Sequence, residues 1–232
     1  MPDNLKLYEA IVLLALCEEK GTMNGAYVEY ATAAALAAEL LMLGRIKVDN
    51  GNNEKIAVVN DSPTDDSLLD EALTMILDAK RQYELEHWVE KLAGIKDLKH
   101  KVAQALATDG IVASEKEKVL WLFERRVYPE VNPEPEEQLR QEMRNVVLSD
   151  GDEIEPRIAI VVALANSAAL LPQVFTKREL KDRKQRIKQL EKGELLPKAA
   201  KEAVQAIEAA VMIAAIMPAI TAATVTSSPS SC

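Results

Sequence analysis

A mainly α fold is predicted by this sequence: a single-domain helical bundle with a buried C-terminal helix and two winged-helix-like β-hairpin units. Three observations predict it. The 232 residues include only 8 Gly and 4% aromatic side chains, with long Ala and Leu runs, a composition that suits helices better than a sandwich or barrel. Apolar residues recur at intervals of three and four in one segment after another. Twice, a helical segment is followed by short β-branched runs set around a polar turn. At 48% hydrophobic and 28% charged, the chain can bury a good core. Residues 1–225 are expected to form the domain and 226–232 a polar, disordered tail.

Leu5 to Leu16 carries Leu7, Ile11 and Leu14 on one stripe, and Glu18-Glu-Lys-Gly21 ends it, so a first core helix is expected. Cys17 falls in that helix as an inert thiol, and with Cys232 last in the sequence no disulfide framework is suggested. Ala31 to Leu43 is an Ala-rich helix capped by Gly44. Arg45-Ile-Lys-Val48 and Ile56-Ala-Val-Val59 flank Asp49-Asn-Gly-Asn-Asn53 and make the first hairpin. Leu68 to Leu77 and Tyr83 to Leu92 are further helices, the second placing Trp88 in the core. Lys96 to Thr108 is a helix ended by Asp109-Gly110. Ile111-Val112, a charged turn at Glu115-Lys-Glu-Lys118 and a returning strand Val119-Leu-Trp-Leu-Phe123 repeat the helix-then-hairpin outline.

Beyond the proline break at Val131-Asn-Pro-Glu-Pro135, Leu139, Met143, Val146 and Val147 mark one side of a helix. Arg157 to Leu171 is apolar after its first residue, which implies a helix buried all round. Lys177 to Lys192 is amphipathic, with eight Lys or Arg against three acids; it is either a solvated face or an interaction surface. Ala209 to Val225 has no charge over seventeen residues, but Pro218 interrupts it, so a buried helix is expected rather than a membrane span.

Little in the chain points to catalysis. His87 and His100 are the only histidines and neither has a second ligand at metal spacing, so no metal and no cofactor are expected. Neither a phosphate-cradling glycine loop nor a Gly-x-Ser-x-Gly elbow is present, and Ser149-Asp-Gly-Asp-Glu153 lacks the ligand repeat of a calcium loop. The expectation is a non-enzyme. The formal net charge of −9, and the absence of any basic residue from Ala31 to Leu43, argue against nucleic acid as a partner. The N-terminus has the layout of neither a signal peptide nor a transit peptide, so a cytoplasmic location is expected.

The most informative stretch is Asp61-Ser-Pro-Thr-Asp-Asp-Ser-Leu-Leu-Asp-Glu-Ala-Leu73. Pro63 biases Ser62 away from helix, and Thr64, Asp65, Asp66 and Ser67 can accept bonds from a first helical turn. This block resembles the signature of the Golgi phosphoprotein 3 family. Glu39-(x)4-Gly44-Arg45-Ile46 before it fits the family's order and spacing. So do Trp88-Val-x-x-Leu92, Leu106-(x)3-Gly110-Ile-Val-(x)2-Glu115-Lys116 and Arg186-Ile-Lys-Gln-Leu190 after it. The resemblance covers about Leu5 to Ala215.

The resemblance implies a peripheral adaptor that recognises phosphatidylinositol 4-phosphate, or another anionic head group, through basic side chains and an exposed tryptophan. The family's basic pair falls on Lys96 and Lys99, with Lys101 following; on one helix, positions three apart share a face. The family's arginine in the second helix falls on Ala33, and no Trp lies between Gly21 and Ala33. Met23, Tyr27 and Val28, in the stretch Gly21 to Tyr30, are the candidates for a membrane-inserted loop, or else simply pack. The family's second hairpin is associated with self-association, which makes a homo-oligomer a further expectation, with Trp121, Phe123 and Tyr128 as candidates.

Overall fold

The computed structural model describes residues 1–2, 4–17, 20–23, 27–49, 55–119, 123–151 and 154–196. The expected C-terminal helix and tail, together with Trp121 and the Phe123 side chain, lie outside the described residues. Nine α-helices and two two-stranded antiparallel hairpins occur among the described residues, so the architecture is mainly helical.

α1 (Leu7–Ala15) is the hub. All nine of its residues are buried, Glu9 included, and it packs on α2 (Val28–Met42), α5 (Leu98–Thr108), α6 (Glu134–Leu148) and α7 (Pro156–Ser167). The Ala-rich sequence of α2 permits this: Ala33, Ala34, Ala35, Ala37 and Ala38 have no exposed surface and let neighbouring helices approach closely. α7 is buried from Ile158 to Ala165, as its unbroken apolar run requires.

Three helices share one buried carboxylate. Glu39 of α2 accepts the free Leu7 N–H at the start of α1 at 2.8 Å. Its two oxygens also receive Arg157 of α7 at 2.7 and 2.9 Å. A carboxylate this buried is stable only because charge and lone pairs are both answered.

β1 (Ile46–Asp49) pairs with β2 (Lys55–Val58), with Ile46 opposite Val58. α3 (Ser67–Leu77) and α4 (Leu85–Ala93) follow, and Trp88 is 3% exposed, in the core as expected. The second hairpin corrects the sequence reading. β3 is Glu115–Val119, the stretch taken as a charged turn, and β4 is Phe123–Val127. Ile111-Val112 makes only an isolated bridge, from Val112 to Glu130. In the ribbon, residues 115–118 and 124–126 are exposed on both faces, so alternating charge is what a solvated strand demands there.

The loop after α1 is clamped to the exit of β4. Gly21 takes φ +57° and its carbonyl accepts Tyr128 N–H at 2.7 Å. α1 ends at Ala15, so Cys17 lies past the C-cap rather than inside a helix, which corrects the expected position of this residue; Cys232 lies outside the described residues.

α8 (Lys177–Asp182) and α9 (Lys184–Glu191) complete the described helices. Arg186 donates to the carbonyls of Val146 and Gly151, each at 2.7 Å, and Arg183 donates to that of Leu148. Two cations thus meet the negative end of α6 and satisfy its free carbonyls.

Candidate head-group site

A groove of about 820 Å³ lies where the starts of α1, α3 and α5 meet the end of β4. The local sequence builds its floor. Asp66 caps α3, accepting Leu68 and Leu69 N–H at 3.0 and 2.9 Å, while Thr64 donates its hydroxyl to Asp70 at 2.7 Å. The other oxygen of Asp66 receives the Tyr8 hydroxyl at 2.5 Å and Lys6 Nζ at 2.6 Å, which ties the start of α1 to α3. The signature block is therefore a latch between helices as much as a cap.

Titration follows from this. Partial burial opposes ionisation of Asp66, yet the bonds from Lys6, Tyr8 and Leu69 N–H outweigh it and hold its pKa below the ordinary value. Burial, aided by Asp66, pushes the Tyr8 hydroxyl upward, so it stays a donor. Burial also raises Glu9, against the pull of Lys6 at 3.2 Å.

The outer wall carries the basic residues, and it divides the expected set. Lys96 does not share a helix face with Lys99. Asp97 is the N-cap of α5, with φ 58°, so Lys96 sits ahead of the helix. Lys96 lines the groove, exposed and with no ion-pair partner among the described residues. Lys99 turns to α2 and pairs with Glu29 at 2.6 Å, outside the lining. Lys101 lines the groove and pairs with Glu71 at 2.6 Å. The sequence reading missed Arg126, paired with Asp97 at 3.0 Å, and His100, whose Nδ1 lies 3.1 Å from the Tyr128 hydroxyl. Both sit on the wall because α5 and β4 are adjacent in space, a relation with no local sequence signal. Tyr128 is itself 2% exposed and belongs to the core.

Partial burial lowers the His100 pKa, and Arg126 and Lys99 lower it further, so the ring is neutral at neutral pH. The Lys101–Glu71 and Arg126–Asp97 pairs have side chains 41–45% exposed. Such pairs contribute about 0–1 kcal/mol, so their cations can be re-partnered by a phosphate at little cost. Arginine adds the planar fork that the lysines lack.

The proposed insertion loop fares differently. Val28 opens α2 and is 1% exposed, and Met23 packs against the core and bridges to Leu16. As placed, Val28 is not available to a bilayer, whereas Met23 and Tyr27, the residue before α2, are half-buried; residues 24–26 of this loop lie outside the described residues. Ala33 has no exposed surface, so that position supplies no contact to a head group. No helix among the described residues is long and apolar enough to cross a membrane, and no cluster of metal-ligating side chains occurs among them.

The described residues thus form a mainly helical body with two antiparallel hairpins and a mixed-charge groove at helix starts. The family profile described as Golgi phosphoprotein 3 (GPP34) matches residues 7–207. The chain belongs to that family, which is one of adaptors and not of enzymes. It is 24% identical over 172 residues to vacuolar protein sorting-associated protein 74 of Eremothecium gossypii, an alignment covering 65% of this chain. The chain spans about half, 51%, of that relative's length.

Proposed function

We propose that this chain is a peripheral membrane adaptor, built as one lipid-binding domain on the cytosolic side of a membrane. It binds an anionic head group of the phosphatidylinositol 4-phosphate type in the groove. The observation that carries this is Lys96, left without an ion-pair partner among the described residues at the mouth of a groove also lined by Lys101 and Arg126. Family membership supports the same reading. Three cations near an anionic surface contribute roughly 3 kcal/mol in all, which alone is weaker than millimolar binding. Direct phosphate contacts at Lys96 and Arg126 therefore carry selectivity, with Lys101 adding charge.

The test is flotation with liposomes containing phosphatidylinositol 4-phosphate, phosphatidylserine or neither. Selective flotation on the first, reduced about tenfold or more by Lys96→Ala/Lys101→Ala, is expected. Flotation that ignores this double substitution would remove the groove from the function.

A second reading, an oligomeric scaffold, is favoured by one observation: residues 115–118 and 124–126 of the β3–β4 ribbon are exposed on both faces. Sedimentation across a concentration series tests it, and strictly monomeric behaviour would exclude it.

A further inference from the structure

We propose that Asp97 is a built-in competitor in the groove, a specificity-determining residue that holds Arg126 until a doubly charged phosphate takes its place. This rests on the head-group reading above and adds to it which anions the groove admits.

Asp97 stands where a helix cap is expected and does not cap. An N-cap is normally extended, and its side-chain oxygen accepts an N–H of the first turn. Asp66 does so at the start of α3, with φ −130° and bonds from Leu68 and Leu69 N–H. Asp97 instead takes φ 58° at the start of α5 and makes no side-chain bond to the helix. Its carboxylate goes to Arg126 of β4, 3.0 Å away.

Stability does not explain this arrangement. A left-handed conformation is unfavourable for a side-chain-bearing residue, if least so for Asn and Asp, and a forgone cap is a lost hydrogen bond. What is gained is an ion pair with both side chains 45% exposed, of the kind that adds little to a fold. The strained residue lies in the wall of the groove, next to Lys96 in sequence, where such an outlier points to function.

The chemistry is an exchange of partners. The Arg126 guanidinium holds the Asp97 carboxyl below the usual carboxylate range, so the acid is ionised throughout the neutral region. A carboxylate or phosphodiester arriving at Arg126 carries one charge and replaces like with like, while losing its freedom of motion. A phosphate monoester carries about −1.5 to −2 at pH 7, so the exchange runs in its favour. Lys96 gives the same phosphate a second cation. Asp97 lowers affinity for every anion, and the singly charged head groups, weaker from the start, are the ones it excludes.

Flotation of the full chain over a lipid concentration series, on phosphatidylinositol 4-phosphate and on phosphatidylserine liposomes, tests this with Asp97→Asn. Asn removes the charge, keeps the size and tolerates the left-handed backbone. The variant should bind phosphatidylinositol 4-phosphate liposomes about threefold more tightly and raise flotation on phosphatidylserine from near background. Asp109→Asn measures the effect of charge alone. It lines the same groove without an ion-pair partner among the described residues, about 18 Å away at the far end of α5. The gain in Asp97→Asn should exceed that in Asp109→Asn about twofold or more. Circular dichroism confirms that each variant folds. Equal gains in the two variants, or a parent that floats as well on phosphatidylserine as on phosphatidylinositol 4-phosphate, would overturn the proposal. A selective parent with no gain in Asp97→Asn removes the competitor alone; no flotation by parent or variants on any liposome removes the head-group reading with it.

Discussion

Arg157 and Asp66 show how much of this fold rests on single side chains. Removing the guanidinium leaves the Glu39 carboxylate, 5% exposed, with only the Leu7 N–H for support. Arg157→Ala should therefore cost about 3–5 kcal/mol in urea unfolding, against under about 0.5 kcal/mol for an exposed change such as Lys91→Ala. The Asp66 latch should appear in acid. Its pKa is lowered in the fold, so its stabilisation is fully present above its unfolded value near 3.8 and is lost as pH falls below that. Asp66→Ala should lose at least the ~1 kcal/mol of a helix cap at neutral pH and show a shallower acid dependence than the parent. The two residues differ in how readable they were. Asp66 announced itself through Pro63 and the leucine spacing after it, whereas Glu39 and Arg157, 118 residues apart, carry no local pattern that pairs them.

Among the elements, the clamp between the α1 exit and β4 is the sharpest test. A Cβ on Gly21 would stand 2.2 Å from Pro129 N and 2.3 Å from the Tyr128 carbonyl carbon, in backbone that cannot step aside. Gly44 shares the left-handed conformation, φ +63°, but a Cβ there meets nothing within 4 Å. Gly44→Ala should then cost about 1 kcal/mol, the strain alone, while Gly21→Ala should lower the melting temperature several times further or prevent folding. Helices were legible wherever apolar spacing was strong, as in α3, α4 and α7. The second hairpin was legible as a unit but the bounds of its strands were not, because Glu115 to Lys118 has the polarity of a turn. Only its pairing with Glu124 to Val127, set by antiparallel register, makes it a strand. Lys96 was placed inside α5 for a related reason: the left-handed Asp97 that starts the helix one residue later is a backbone state with no side-chain signature.

For the whole molecule, net charge opposes approach to an anionic membrane, so the groove works against a long-range background. His100 adds a pH term to that balance. Its neighbours are Arg126 and Lys99 on the positive side, Asp97 and Glu29 on the negative, and the Tyr128 hydroxyl. Its lowered pKa keeps it neutral at neutral pH, and a bound phosphate would favour its charged form. Flotation on phosphatidylinositol 4-phosphate liposomes should therefore be flat at and above neutral pH and strengthen below about 6.5, with His100→Gln removing most of the rise. The β3–β4 ribbon leads elsewhere. Among the described residues no third strand pairs with it, so its edges offer open peptide groups to another chain. The Glu115, Lys116, Glu117 and Lys118 alternation facing Glu124, Arg125 and Arg126 keeps such a template from seeding fibrils, and so guards the colloidal fate of the protein at high concentration.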